Sequence, residues 1–119
     1  MTSYDKHILY FKHVYHELTQ KQPDEKVRYI ITNLMEYLKH NHLIDKNYLE
    51  HNYLFVSCEA NQTLIYDVDA EKLLSFLTMI YRIDFIDANS DAYMIYYKNQ
   101  MILKILETLI TKLSVLKGE

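Results

Sequence analysis

Glycine and proline are almost missing from this chain: Gly118 and Pro23 are the single examples in 119 residues. Flexible loops and turns that need a glycine at positive φ are therefore scarce, which favours helices joined by short links. With no glycine before residue 118, the sequence holds neither a P-loop nor a dinucleotide fingerprint, both of which bring backbone amides up to a phosphate through glycine. One cysteine, Cys58, leaves no intramolecular disulfide to form. No apolar run reaches eighteen residues, so no membrane span is encoded. The opening stretch "MTSYDKHILYFKH" is charged and aromatic and lacks the small-residue cleavage site of a secretory signal. These absences lead us to expect one domain, residues 1–119, in the reducing cytoplasm.

What is present is apolar: half the residues are hydrophobic, enough to build a core. Tyr4, Ile8, Phe11, Tyr15 and Leu18 recur at spacings of four and three, the stripe of a first helix. After "KQPDEK", Val27, Ile30, Ile31, Leu34 and Leu38 mark a second helix, with Pro23 suited to its first position. The short connection predicts an antiparallel pair over residues 3–42. "YLFVSC" (53–58) and "TLIYD" (63–67) are rich in β-branched and aromatic residues and read as a β-hairpin closed by "EANQ", with "RIDFID" as a third strand. Asp69 should cap a helix over 69–82 carrying Leu73, Phe76, Leu77 and Ile80. A long last helix is expected over 91–116, with Ile95, Ile102, Leu106, Leu109, Leu113 and Leu116 in its seam. The expected class is α+β and predominantly α-helical, about four helices packed with a central β-hairpin.

Charge is uneven along the chain. Residues 53–91 hold Lys72 and Arg82 against seven carboxylates, a net charge of −5, whereas residues 92–119 are net +2. An acidic middle repels a phosphate backbone and suits a basic partner.

Four constellations could carry chemistry, and each falls short on its ligand set. Asp87, Asn89 and Asp91 begin like a calcium loop, but position 6 is Ala92 and position 12 is Lys98, where an EF-hand needs glycine and a bidentate glutamate. Asp91 or Ser90 is better read as a helix cap. "HVYHE" sets His13, His16 and Glu17 on one helix surface, yet the spacing is not that of H-E-x-x-H, and a third ligand would have to come from "KHNH" or His51. Asp67, Asp69 and Glu71 could hold magnesium beside a phosphate, but the glycine-built cradle is missing. Cys58 alternates with Leu54 and Val56 and should face the core as a small apolar side chain. No catalytic residue, metal ligand or cofactor site is expected.

Twelve tyrosines and no tryptophan are present. Tyr10, Tyr29, Tyr81, Tyr96 and Tyr97 fall at the edges of helix stripes, where a ring is buried and a hydroxyl meets water. "YMIYYKNQ" (93–100) carries three tyrosines that spread over more than one helix face and so favours a binding surface. The expected function is a cytoplasmic protein-binding module that neutralises or inhibits a partner by occlusion, as immunity proteins, antitoxins and inhibitors do. Its partner-binding residues would be Glu59, Tyr66, Asp67, Glu71, Asp84, Asp87, Tyr93 and Tyr96. The partner should be a protein, with charge favouring a basic one; nucleic acid is disfavoured, and the C-terminal helix offers a homodimer surface. Two alternatives stand beside it. "VRYIITNLMEYLKHNHLI" before a hairpin has the helix-then-wing order of a winged-helix regulator, and His40, His42, Asp67 and Tyr66 could assemble a dispersed metal-dependent site.

Overall fold

A computed structural model describes residues 3–118. Helix α1 (Ser3–Thr19) is followed by α2 (Asp24–His40). A 3-10 turn at Tyr48–His51 runs directly into α3 (Asn52–Ala60), and a second one covers Gln62–Asp67. Then come α4 (Ala70–Ile86), a third 3-10 turn at Ala88–Ser90, α5 (Ala92–Lys98) and α6 (Met101–Gly118). Among the described residues there is no strand.

The first pair is antiparallel, as its short link predicts. His7 and Tyr10 near the start of α1 meet Tyr37 near the end of α2, where the Tyr10 and Tyr37 rings stack at 3.7 Å. Glu17 near the end of α1 shares a cleft with Lys26 near the start of α2. Pro23 stands one residue before the helix, at φ −61°, and its carbonyl accepts from the Lys26 and Val27 amides. The predicted stripe of α2 is buried in full, with Met35 added to it.

The central β-hairpin does not exist; its two arms are α3 and the 3-10 turn at Gln62–Asp67. Burial shows why. Phe55 and Cys58 point inward three residues apart, and so do Ile65 and Val68, a helical interval rather than an alternation. Val56, which a strand would have turned inward with Cys58, faces solvent. The Asn61 side chain accepts from the Thr63 amide and starts the next turn, so "EANQ" ends a helix instead of closing a hairpin. Two strands here would also have left ladder groups unpaired on both edges, whereas a helix satisfies them internally. The proposed third strand, "RIDFID", is the continuation of α4 to Ile86. Asp69 caps α4 as expected, accepting from the Lys72 amide at 3.0 Å.

The long last helix is also corrected. Asn99 and Gln100 break it into α5 and α6, with Gln100 at φ 73° and the Met101 amide bonded to Asn99 Oδ1 at 2.9 Å. His42 (φ 57°) and Asp91 (φ 54°) make two further left-handed corners. A chain without internal glycine places side-chain-bearing residues there, at about 1 kcal/mol each. Ile95 therefore faces solvent rather than continuing the seam, and Leu116 is exposed as well.

Ile102, Leu106, Leu109 and Leu113 of that seam are buried, joined by Met101 and Ile105. Helix α6 packs most extensively against α1 and next against α4, so it is the central helix. Buried apolar residues form one connected cluster. Two buried hydroxyls on α4, Ser75 and Thr78, are satisfied by the α2–α3 connection: Ser75 Oγ donates to Asp45 Oδ2, and the Asp45 amide donates to Thr78 Oγ1 at 3.1 Å. No helix among the described residues is long and apolar enough to cross a membrane.

Candidate functional site

The eight residues expected on one face are split by α4. Glu59 ends α3, Tyr66 and Asp67 end the following 3-10 turn, and Glu71 lies in the first turn of α4. Asp84 and Asp87 stand at the other end of α4. From Glu71 to Asp84 the helix advances roughly 20 Å at 1.5 Å per residue. The acidic middle is therefore two patches, not one.

Neither Tyr93 nor Tyr96 is on the surface. Both are buried in the core cluster, because α5 touches α2, α4 and α6 and has little free face. Burial, then nearby Asp84, raises the Tyr93 phenol well above its ordinary value. Tyr96 donates to Glu59 Oε2 at 3.0 Å, and burial followed by that bond raises its pKa strongly. The contribution of Tyr96 to the first patch is thus indirect: it fixes the direction of the Glu59 carboxylate. Asp84 is partly buried, and burial together with Asp91 raises its pKa, so it gives up its proton less readily than a free carboxyl.

The calcium-like stretch uses its carboxylates internally. Asp87 accepts from the Asn89 amide at 3.0 Å. Asp91 is gripped by Arg28, whose Nε and Nη2 reach its two oxygens at 3.2 and 3.0 Å and hold its pKa low. Asp91 thus stands at the N-cap position of α5 without making a side-chain cap bond, its carboxylate being turned to Arg28. Together with Lys98–Asp24 at 3.2 Å, this pair ties both ends of α5 to α2. Among the described residues no three His, Cys, Asp or Glu side chains converge as a metal site would require. His13 pairs with Glu17 at 2.8 Å, His40 lies 3.7 Å from Glu36, and His7 Nδ1 meets the Tyr37 hydroxyl at 2.7 Å. Cys58 is fully buried, and burial pushes its thiol pKa up, away from the thiolate. The wing of the winged-helix alternative is α3.

A cleft of about 330 Å³ opens between α1 and α2, floored by Val14 and Ile30 and walled by Tyr10, His13, Glu17, Lys26, Tyr29 and Asn33. Burial, then Tyr37, pushes the Tyr10 phenol up to about 12, so it stays protonated. Cation and carboxylate face each other across this cleft, which favours neither sign of ligand.

The feature that sequence reasoning missed is on α3. Leu49, Tyr53, Val56 and Ala60 follow at spacings of four, three and four along the 3-10 turn and the helix it enters, and all four face solvent. Tyr53 is 87% exposed, Leu49 66% and Val56 52%. The spacing itself was the available signal, hidden by reading the segment as a strand. Leu64 and Tyr66, on the adjoining turn, are exposed too. From Asn47 to Glu71 there is no lysine or arginine, against Glu50, Glu59, Asp67, Asp69 and Glu71.

No protein-family model, curated protein or solved structure matches the chain.

Proposed function

We propose that the chain is a cytoplasmic protein-binding module that inhibits or neutralises a partner by covering it, with no catalytic apparatus of its own. One observation carries this reading: the segment Asn47–Glu71 exposes Leu49, Tyr53, Val56, Leu64 and Tyr66 and holds five carboxylates with no lysine or arginine of its own, although Lys72 pairs with Asp69, Lys104 bonds to Gln62 and Arg82 lies over the Tyr48 ring. Several exposed apolar side chains on one segment, with polar residues around them and carboxylates in the majority, are what a protein interface presents. The carboxylates would speed encounter with a basic partner, and the apolar side chains would hold it once docked. Of the eight expected residues, Glu59, Tyr66, Asp67 and Glu71 belong to this segment and are the ones this reading keeps; Asp84 and Asp87 lie at the far end of α4, and Tyr93 and Tyr96 are buried.

Affinity capture from the native host, read by mass spectrometry, supplies the partner. Asp67→Lys with Glu71→Lys should then slow association about tenfold or more at low salt, with a smaller effect at high salt. An unchanged association rate at low salt removes this face from the interface.

A further inference from the structure

Helix α3 is apolar on two sides. Its inner side, Phe55 and Cys58, is in the core, and its outer side carries Tyr53, Val56 and Ala60 in solvent, with Leu49 exposed in the 3-10 turn before it. A helix that is apolar all round is normally enclosed. We infer that the outer stripe of α3 is the seat for one basic amphipathic helix of a partner protein, laid along the stripe. The inference rests on the reading of this segment as a protein-binding face, and it specifies what that face holds.

Periodicity and charge select the occupant. Spacings of four, three and four match the seam that a second helix presents with anchors at i, i+3 or i+4 and i+7. From Leu49 to Ala60 the stripe runs roughly 16 Å, about three turns, so three or four anchors fill it. Glu50 lies in the 3-10 turn at its start, Glu59 near the end of α3, and Asp67 on the turn that follows. Glu59 is held in place by the Tyr96 hydroxyl, so one flanking carboxylate is already oriented before any partner arrives. Lysines or arginines beside the anchors of the incoming helix would meet these acids. A second copy of this chain would bring acid against acid, and nucleic acid or an anionic membrane would be repelled in the same way.

Three synthetic fifteen-residue peptides test the inference against the isotope-labelled protein by NMR titration. One has leucines at heptad spacing among lysines, one has glutamate in place of lysine, and one scrambles the leucine–lysine composition so that no helix face forms. The heptad lysine peptide should shift the amides of residues 49–60 and 63–67, and Tyr53→Ser with Val56→Ser should weaken it about tenfold or more. The glutamate peptide should leave the spectrum unchanged. Equal binding by the scrambled lysine peptide, still lost in Asp67→Lys with Glu71→Lys, overturns the helix as occupant and leaves the acidic face standing. No response to either lysine peptide, with a charge reversal that also leaves capture of host proteins unaltered, overturns both. Sedimentation showing a dimer that Tyr53→Ser dissolves would assign the stripe to a second copy and overturn the inference.

Discussion

Helices α3 and α6 are built from similar residues and meet opposite fates. Helix α6 turns Met101, Ile102, Ile105, Leu106, Leu109 and Leu113 into the core, because both α1 and α4 pack on it. Helix α3 buries Phe55 and Cys58 and leaves Tyr53 and Val56 in water, with Leu49 exposed in the turn before it. Position decides the outcome: a central helix needs apolar residues on most of its circumference, and a peripheral one needs a single stripe. The outer apolar residues of α3 are therefore not needed for the core, and in the proposed function a partner would cover them.

The sharpest break of this comparison comes from the central helix. Leu109→Ala removes a fully buried side chain from the helix that packs against both α1 and α4. Stability should fall by about 3 kcal/mol, since the missing methylenes leave a cavity that rigid neighbours cannot fill. The midpoint of urea unfolding measures it; a loss below about 1 kcal/mol would mean that α6 is not the centre. A smaller loss is expected at the joint between α2 and α3. Asp45→Ala removes the acceptor of Ser75 Oγ and of the Asn47 amide, although Ser75 keeps a bond to the Glu71 carbonyl. About 1 kcal/mol should be lost at neutral pH. The Ser75 bond, ahead of the backbone bond to Asn47, lowers the Asp45 pKa below its ordinary 3.8. Its contribution is thus complete above that value and disappears as pH falls through the lowered one, where wild type and variant should converge.

How much of this was readable beforehand follows the same division between centre and edge. The stripe of α2, the Asp69 cap and the four buried residues of the α6 seam are all legible in the sequence, because a fully enclosed helix writes its period in apolar residues. Tyr53–Cys58 was misread because its β-branched and aromatic residues carry strand propensity, while two buried positions in a nine-residue helix give the period little room to show. The break at Asn99–Gln100 had no glycine to announce it. Tyr93 and Tyr96 were assigned to the surface because tyrosine often sits at interfaces. Here the corner at Gln100 folds α5 back among three helices and encloses them. The candidate face was half readable: its acids stand in the sequence, but its apolar stripe emerges once α3 is a helix.

Histidine 7 offers a finer probe of the α1–α2 contact. Its ring packs against Phe11 and Tyr37, and its Nδ1 meets the Tyr37 hydroxyl. Burial, then Lys6, lowers its pKa below the ordinary 6.5. The unfolded chain thus takes up this proton first as pH falls, so the stabilising effect of neutral His7 is complete above about 6.5 and declines toward the lowered value. His7→Gln should flatten part of the loss of stability between about pH 7.5 and 5.5, read as the difference between the two unfolding curves. Identical slopes would detach His7 from the acid response.

The smallest expected effect is the most discriminating. Tyr53→Ser with Val56→Ser deletes two large side chains that the fold does not bury. Both are more than half exposed, so neither leaves a cavity, and loss of stability should stay within about 0.5 kcal/mol. Solubility at high concentration should rise, because the exposed patch shrinks. A double variant that unfolds at the wild-type midpoint while losing its partner places the stripe wholly in recognition. A loss approaching that of Leu109→Ala would mean instead that α3 is held from both sides, and the contrast with α6 would vanish.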